Sequence, residues 1–357
     1  MLMAVAETAS STGTGKRATS AAGRPARRTS PDMAWIGIPA IKLAVWACMA
    51  LPMVAAAQIV ADPNAGVNRP GVIQTANGLP QVNITRPTGA GVSINQYTQF
   101  DVNKPGAILN NSPVITNTQQ AGYINGNPNL LPGGSARIIV NQVNSTSPSQ
   151  LRGYLEVAGG RADVVIANPN GLLVDGAGFI NTSRVTLTTG MPIYGGSGSL
   201  DAFRVTGGQI QIEGAGLNAA SADQVDLIAR AVRANAALYA NRLNVVAGAN
   251  QVDYNTLSAS AIAGNGPAPA VGIDVSQLGG MYANKILLAS TEAGVGVSLR
   301  GVMAAQAGDL TLTAQGKLVL AGQTNASGNL AMSARDGIDN SGTTYGEGAA
   351  SLRTDGR

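Results

Sequence analysis

The sequence predicts an all-β fold, a single-stranded parallel β-helix, and three observations carry that expectation. Short apolar runs with alternating or β-branched residues recur between Gly- and Asn-rich turns: Val92-Ser93-Ile94, Arg137-Ile138-Ile139-Val140, Asp163-Val164-Val165-Ile166, Arg184-Val185-Thr186-Leu187, Gln209-Ile210-Gln211-Ile212, Arg242-Leu243-Asn244-Val245-Val246 and Lys285-Ile286-Leu287-Leu288. Runs of three to five residues are too short for helices, and their neighbours tolerate a left-handed backbone, so they read as strands. The 357-residue chain also holds only three Phe and eight Tyr. A compact domain of this size builds its core partly from aromatics, which bury roughly 150–250 Å² each. Without them the core must be thin and aliphatic, as in stacked solenoid layers. Finally, Gly308-Asp309-Leu310-Thr311-Leu312-Thr313-Ala314 matches Gly328-Asn329-Leu330-Ala331-Met332-Ser333-Ala334 at a spacing of 20, and Leu312, Met332 and Leu352 continue the repeat. A unit of that length made of short strands and turns is one coil of a parallel β-helix, below the roughly 33 residues of helix-containing repeats.

Three regions follow along the chain: a leader over residues 1–57, a β-helix domain over 58–300, and the start of twenty-residue solenoid repeats over 301–357. The leader has basic residues Arg24, Arg27, Arg28 and Lys42, an apolar run from Leu43 to Val54, and a small-residue exit at Ala55-Ala56-Ala57. That is the layout of a secretory signal peptide, with cleavage expected between Ala57 and Gln58. Its n-region is long, and Met33 is an alternative start that would leave Lys42 as the only base ahead of the run. Cys48 offers a lipidation alternative, against which the bulk of Trp46 argues. Retention as a membrane anchor is disfavoured because the run is shorter than the roughly 20 residues a span requires.

Removing the leader changes the bulk chemistry. Residues 1–57 hold six of the 23 bases and two of the 19 acids, which leaves 17 of each and a net charge of zero. The basic character of the whole chain therefore gives no reason to expect nucleic acid as a partner. The only cysteine lies in the leader, so the exported part forms no disulfide.

One stretch admits helix. Ser221 to Tyr239 has Asp223 and Asp226 early and Arg230 and Arg233 later, with apolar residues that fit a 3.6 period. The same residues also alternate as Val225-Asp226-Leu227-Ile228 and Ala231-Val232-Arg233-Ala234, which suits consecutive rungs, and rungs are the favoured reading. The chain stops within a third repeat copy without a polar cap, so the expectation is the front of a longer protein.

With no histidine, and no cysteine after the leader, Ser-His-Asp and Cys-His catalysis and His-ligated zinc are excluded by composition. Carboxylate chemistry of the polysaccharide-cleaving kind is left, with Asp163 beside Arg161, and Asp223 and Asp226 beside Arg230 and Arg233, as candidates. Such spacing more often marks the solvated side of a strand, so the expectation is no enzyme, no metal and no cofactor.

The distinctive motifs are two Asn-Pro-Asn turns, Asn127-Pro128-Asn129-Leu130 and Asn168-Pro169-Asn170-Gly171. Pro pre-sets φ, while Asn bonds nearby backbone and tolerates left-handed φ. Their first asparagines are 41 apart, about two rungs of twenty, which places both turns on the same side of the solenoid. Either motif serves as a tight corner, a recognition site, or both.

At these residues the chain resembles the N-terminal two-partner secretion domain of filamentous haemagglutinin-like exoproteins, a group that includes adhesins, haemolysins and contact-dependent growth inhibition proteins. The likeness covers roughly Gln58 to Pro192. It rests on Gly91-Val92-Ser93-Ile94-Asn95-Gln96-Tyr97, Phe100-Asp101-Val102-Asn103-Lys104-Pro105-Gly106, Leu109-Asn110-Asn111-Ser112, the two Asn-Pro-Asn motifs, Ala136 to Val143, Ser147 to Leu151, Ala162 to Ala167 and Leu187 to Gly190. The resemblance implies a right-handed β-helix with an N-terminal cap and extra-helical hairpins. It implies export through the Sec translocon and periplasm of a Gram-negative bacterium to the cell surface or medium. The implied partner is an outer-membrane β-barrel transporter with periplasmic docking domains, and the two motifs are implied in secretion through folding, docking or both. Host or bacterial surface receptors are further implied partners. The competing readings are a glycan- or cell-binding adhesin module and a β-helix polysaccharide lyase.

Overall fold

In a computed structural model the described residues are 58–355. The leader and the Ala57 side of its cleavage site lie outside them. Apart from one turn of 3₁₀ helix at Gly66–Asn68, every regular element among the described residues is a strand. Residues 221–239 form strands and not helix, as favoured, but Gln224–Ala229, Ala231–Ala234 and Ala237–Ala240 are three successive strands around one rung instead of consecutive rungs.

The strands stack into three long sheets, A and B with eleven strands each and C with eight. The chain visits A, C and B in turn, as Ile138–Val143, Ser149–Leu151 and Tyr154–Gly159 illustrate, before returning to A at Ala162–Ala167. Pairing between rungs is parallel, so each strand donates and accepts along the axis with its copy one rung away. This is a parallel β-helix. Side chains alternate between the lumen and the outside. Ile139, Val164, Val185, Val225, Leu243, Ile286, Leu310 and Leu330 form part of one continuous inner column with at most 1% exposure. The expected aliphatic lumen is observed, with its aromatics confined largely to the N-terminal end, where Tyr97 and Phe100 meet edge to face at 4.8 Å.

That end is sealed. Ile59–Ala61 lies antiparallel on Val92–Phe100, and Gly71–Gln74 forms an antiparallel hairpin with Pro80–Asn83, so the first rung offers no bare edge. Toward the C-terminus the rungs are regular: Leu310, Leu330 and Ala350 stand in register 20 residues apart.

Elsewhere rung length varies because hairpins are inserted at corners. One, Thr116–Thr118 with Gly122–Ile124, lies between sheets B and A. Two more, after Thr182–Thr188 and after Arg242–Ala247, combine into a four-stranded antiparallel side sheet, Met191–Tyr194, Leu200–Val205, Asn250–Asp253 and Ala259–Ala261. The side sheet folds back on the outside of sheet A and buries Phe203, Val205, Val252 and Tyr254 against Ile138, Val140, Val165 and Val246.

Candidate functional site: two asparagine-latched corners

The two motifs do not share a side of the solenoid. Asn127 precedes the sheet A strand Ile138–Val143 and turns the chain out of sheet B, whereas Asn168 follows Ala162–Ala167 and turns it from A into C. The expectation failed because it counted uniform rungs of twenty. Ile138 and Asp163 are register partners 25 residues apart, and Asn127 stands eleven residues before its sheet A strand whereas Asn168 directly follows the end of the next one.

Locally the corners are built alike. Asn127 is 1% exposed; its Nδ2 donates to the carbonyls of Ile84 (3.0 Å) and Asn110 (2.8 Å), while its Oδ1 accepts the backbone N–H of Asn129 (2.9 Å). Asn129 adds Nδ2 bonds to the carbonyls of Asn83 and Ile84. Leu130 then drops into the lumen at 8% exposure. Asn168 is fully buried and donates from Nδ2 to the Ser147 carbonyl (2.9 Å) and Ser149 Oγ (3.0 Å), while Oδ1 accepts the N–H of Asn170 (3.0 Å). Asn170 reaches Ser145, and Gly171 follows at φ +113°, where a Cβ would stand 2.9 Å from the Gln209 carbonyl. Pro128 and Asn170 face solvent. Each motif is therefore an Asx turn whose leading amide stitches the corner to acceptors of the upstream chain.

Neighbouring residues that sequence reasoning passed over complete the first corner. Asn110 donates to Asn83 Oδ1 and the Asn125 carbonyl, and Asn111 donates to the carbonyls of Ala136 and Gly160. Glu156, 3% exposed on the outside of sheet B, accepts the N–H groups of Gln119 and Gln120 at 2.7 and 2.9 Å and so pins the hairpin turn. The only sequence signal for these was their place in the resembling blocks or a lone acid in an apolar run.

The carboxylate constellations are not assembled as spacing suggested. Asp163 accepts from Tyr254 Oη (2.8 Å) and Arg161 pairs with the exposed Asp223 at 3.1 Å. Asp226, fully buried, pairs with Arg184, whose guanidinium stacks 4.2 Å from the Tyr254 ring centroid. Arg230 instead clamps Glu292 and the Asn265 carbonyl. These groups tie insertions to rungs. The Glu292 carboxyl sits below its usual range, first because of the Arg230 hydrogen bond, and desolvation of Tyr194 pushes its phenol well up.

A capped parallel β-helix with hairpins at its corners and buried asparagines latching two of them defines a solenoid module of the β-helix class. A TPS secretion domain family model matches residues 57–320, and the chain belongs to that family. The chain is 62% identical over 276 residues to a tRNA nuclease CdiA-2 of Burkholderia pseudomallei (strain 1026b), covering 77% of this chain and 9% of that protein. It is 46% identical over 350 residues to a Toxin CdiA of Yersinia pestis, covering 98% of this chain and 10% of that protein. The chain thus spans about a tenth of the length of these relatives. Among solved structures it is similar to a filamentous hemagglutinin secretion domain, with a TM-score of 0.75 and 34% identity over 83% of this chain and 99% of that one.

Proposed function

We propose that this chain is the leading secretion module of a large surface exoprotein of a Gram-negative bacterium. Its leader directs it through the Sec translocon and is removed between Ala57 and Gln58. A cognate outer-membrane transporter takes it up from the periplasm through its docking domains, and it folds rung by rung outside. The whole exoprotein then serves contact-dependent inhibition or adhesion through surface receptors. The nuclease activity in the name of the Burkholderia relative belongs to that protein, of which the matched region is 9%. The module itself acts by folding and recognition, without catalysis.

One observation carries this reading. The acceptors that close the corners, Ile84 and Asn110 for Asn127 and Ser147 for Asn168, all lie upstream in the chain. A polypeptide emerging N-terminus first presents those carbonyls before the asparagines arrive, so each new corner closes on structure already present, and folding outside opposes backsliding. Asn127→Asp and Asn168→Asp keep the Asx acceptor and remove the amide donors. In cells co-expressing the transporter, both variants are expected to accumulate in the periplasm and fall in the medium. Normal release of both would reduce the motifs to corners with no part in export.

A further inference from the structure

The geometry points to a binding strip for a neutral, extended glycan on the outside of sheet B, separate from the export function. One outward register position runs through eight successive rungs as Tyr154, Gly178, Asn218, Tyr239, Tyr282, Ala304, Asn325 and Tyr345. Four of the chain's eight tyrosines stand in this single column. Tyr154, Tyr239 and Tyr345 are 41%, 47% and 59% exposed, and Tyr239 stacks on Tyr282 with centroids 5.2 Å apart.

Two glycines are explained by the rings. Neither Gly178 nor Gly280 has a positive φ, so the backbone does not demand glycine there. A Cβ at Gly178 would meet the Tyr154 ring at 2.3 Å, and one at Gly280 would meet the Tyr282 ring at 2.6 Å. The missing side chains let the rings lean over the sheet.

Charge separates this face from the other two. Among the eleven strands of sheet B the one acid or base is Glu156, which is buried under the hairpin turn. Sheet A carries Asp163, Arg184, Asp226, Arg242, Lys285 and Arg353 in its strands, and sheet C carries Arg233, Asp274 and Asp339. A face without charge offers no field for sulfated glycans or nucleic acid. Aromatic rings interleaved with amides suit a polyhydroxylated neutral ligand, whose C–H faces stack on tyrosine and whose hydroxyls bond to Asn. At the upper end, a cleft of about 350 Å³ is walled by Tyr154 and Asn218 and lined by Gln119, Asn181 and Ser221, uncharged throughout. Rungs repeat at about 4.8 Å, so the column spans roughly 34 Å, with a step close to that of one hexose in an extended β-linked chain.

The test is calorimetric titration of the purified chain with cellohexaose and chitohexaose, with heparin as the charged counterpart. A Tyr239→Ala/Tyr282→Ala double variant and the matching Tyr→Phe double variant are run alongside, their folding checked by circular dichroism. Saturable, salt-insensitive binding of a neutral hexasaccharide is expected, weakened about tenfold or more by the alanines and retained by the phenylalanines, with export of all variants unchanged. No binding of either neutral sugar, binding of heparin alone, or undiminished affinity in the folded alanine variant would overturn the proposal. Self-association that the alanine variant abolishes would also overturn it, by giving the strip to a second copy of the chain.

Discussion

At Asn127 and Asn168 a single amide group does the work of a corner. Each Nδ2, itself buried, holds two acceptors of the upstream chain, both of them in buried bonds at Asn127 and one of them at Asn168. Removing one partner of a buried hydrogen bond costs about 1–3 kcal/mol. Asn127→Asp and Asn168→Asp are therefore expected to lower the unfolding free energy by about 3 kcal/mol, read from the denaturant midpoint, whereas Asn170→Ala at an exposed position costs clearly less. Equal effects at Asn168 and Asn170 would show that burial is irrelevant at the corner. Gly171→Ala meets both a φ of +113° and the Gln209 carbonyl, and belongs with the severe group. The chemistry of these turns was legible from Asn-Pro-Asn alone, because Pro and Asn act locally. Their positions were not, since the long connector from Asn127 to Ile138 and the 25-residue rung that follows change the count without altering the motif.

Legibility of the strands follows from what covers them. Six of the seven runs picked out by pattern fall in sheet A. For much of its length the side sheet buries its outer positions, so Ile138, Val140, Val165 and Val246 are apolar as well as the lumen column, and the strand appears as a solid run. Strands of sheets B and C, often three or four residues long with polar or glycine outer positions, leave a fainter trace. Insertions are held by polar clamps that span too many residues for pattern reading. Tyr254 to Asp163 bridges 91 positions. Tyr254→Phe keeps the ring on Arg184 and loses only the hydroxyl, so it is expected to cost about 1 kcal/mol and to raise hydrogen exchange in Asn250–Asp253 while leaving Leu310–Ala314 unchanged. The Arg230 clamp titrates. Glu292 is held below its unfolded value of 4.5, so its stabilisation is present above that value and is lost as pH falls through the lower folded one. Thermal melts from neutral pH to about pH 3 should show a steeper acid loss for the native chain than for Glu292→Gln. Identical profiles would remove the clamp from the pH response.

For the whole molecule, nearest-neighbour stacking makes length adjustable and order decisive. Leu310, Leu330 and Ala350 occupy equivalent places, so excising residues 310–329 joins two rungs in register and is expected to leave folding and release intact, with a melting temperature little changed. Removing ten residues from the same region would break the register of all three sheets from that rung onward, so protection is expected to be lost after Leu310 and kept before it. The sealed N-terminal end has no such freedom: Ile59–Ala61 and the Gly71–Gln74 hairpin cover the first rung, and both latches draw on carbonyls it and its successors supply. Growth from that end is the premise on which export by folding stands. Pulse-labelled hydrogen exchange during refolding from denaturant tests it most directly. Protection should arise first in Val92–Phe100, Ala107–Asn111 and Ile138–Val143 and spread toward Leu330–Ala334. Protection appearing first in Leu310–Ala314 or Leu330–Ala334, or everywhere at once, would contradict growth from the capped end.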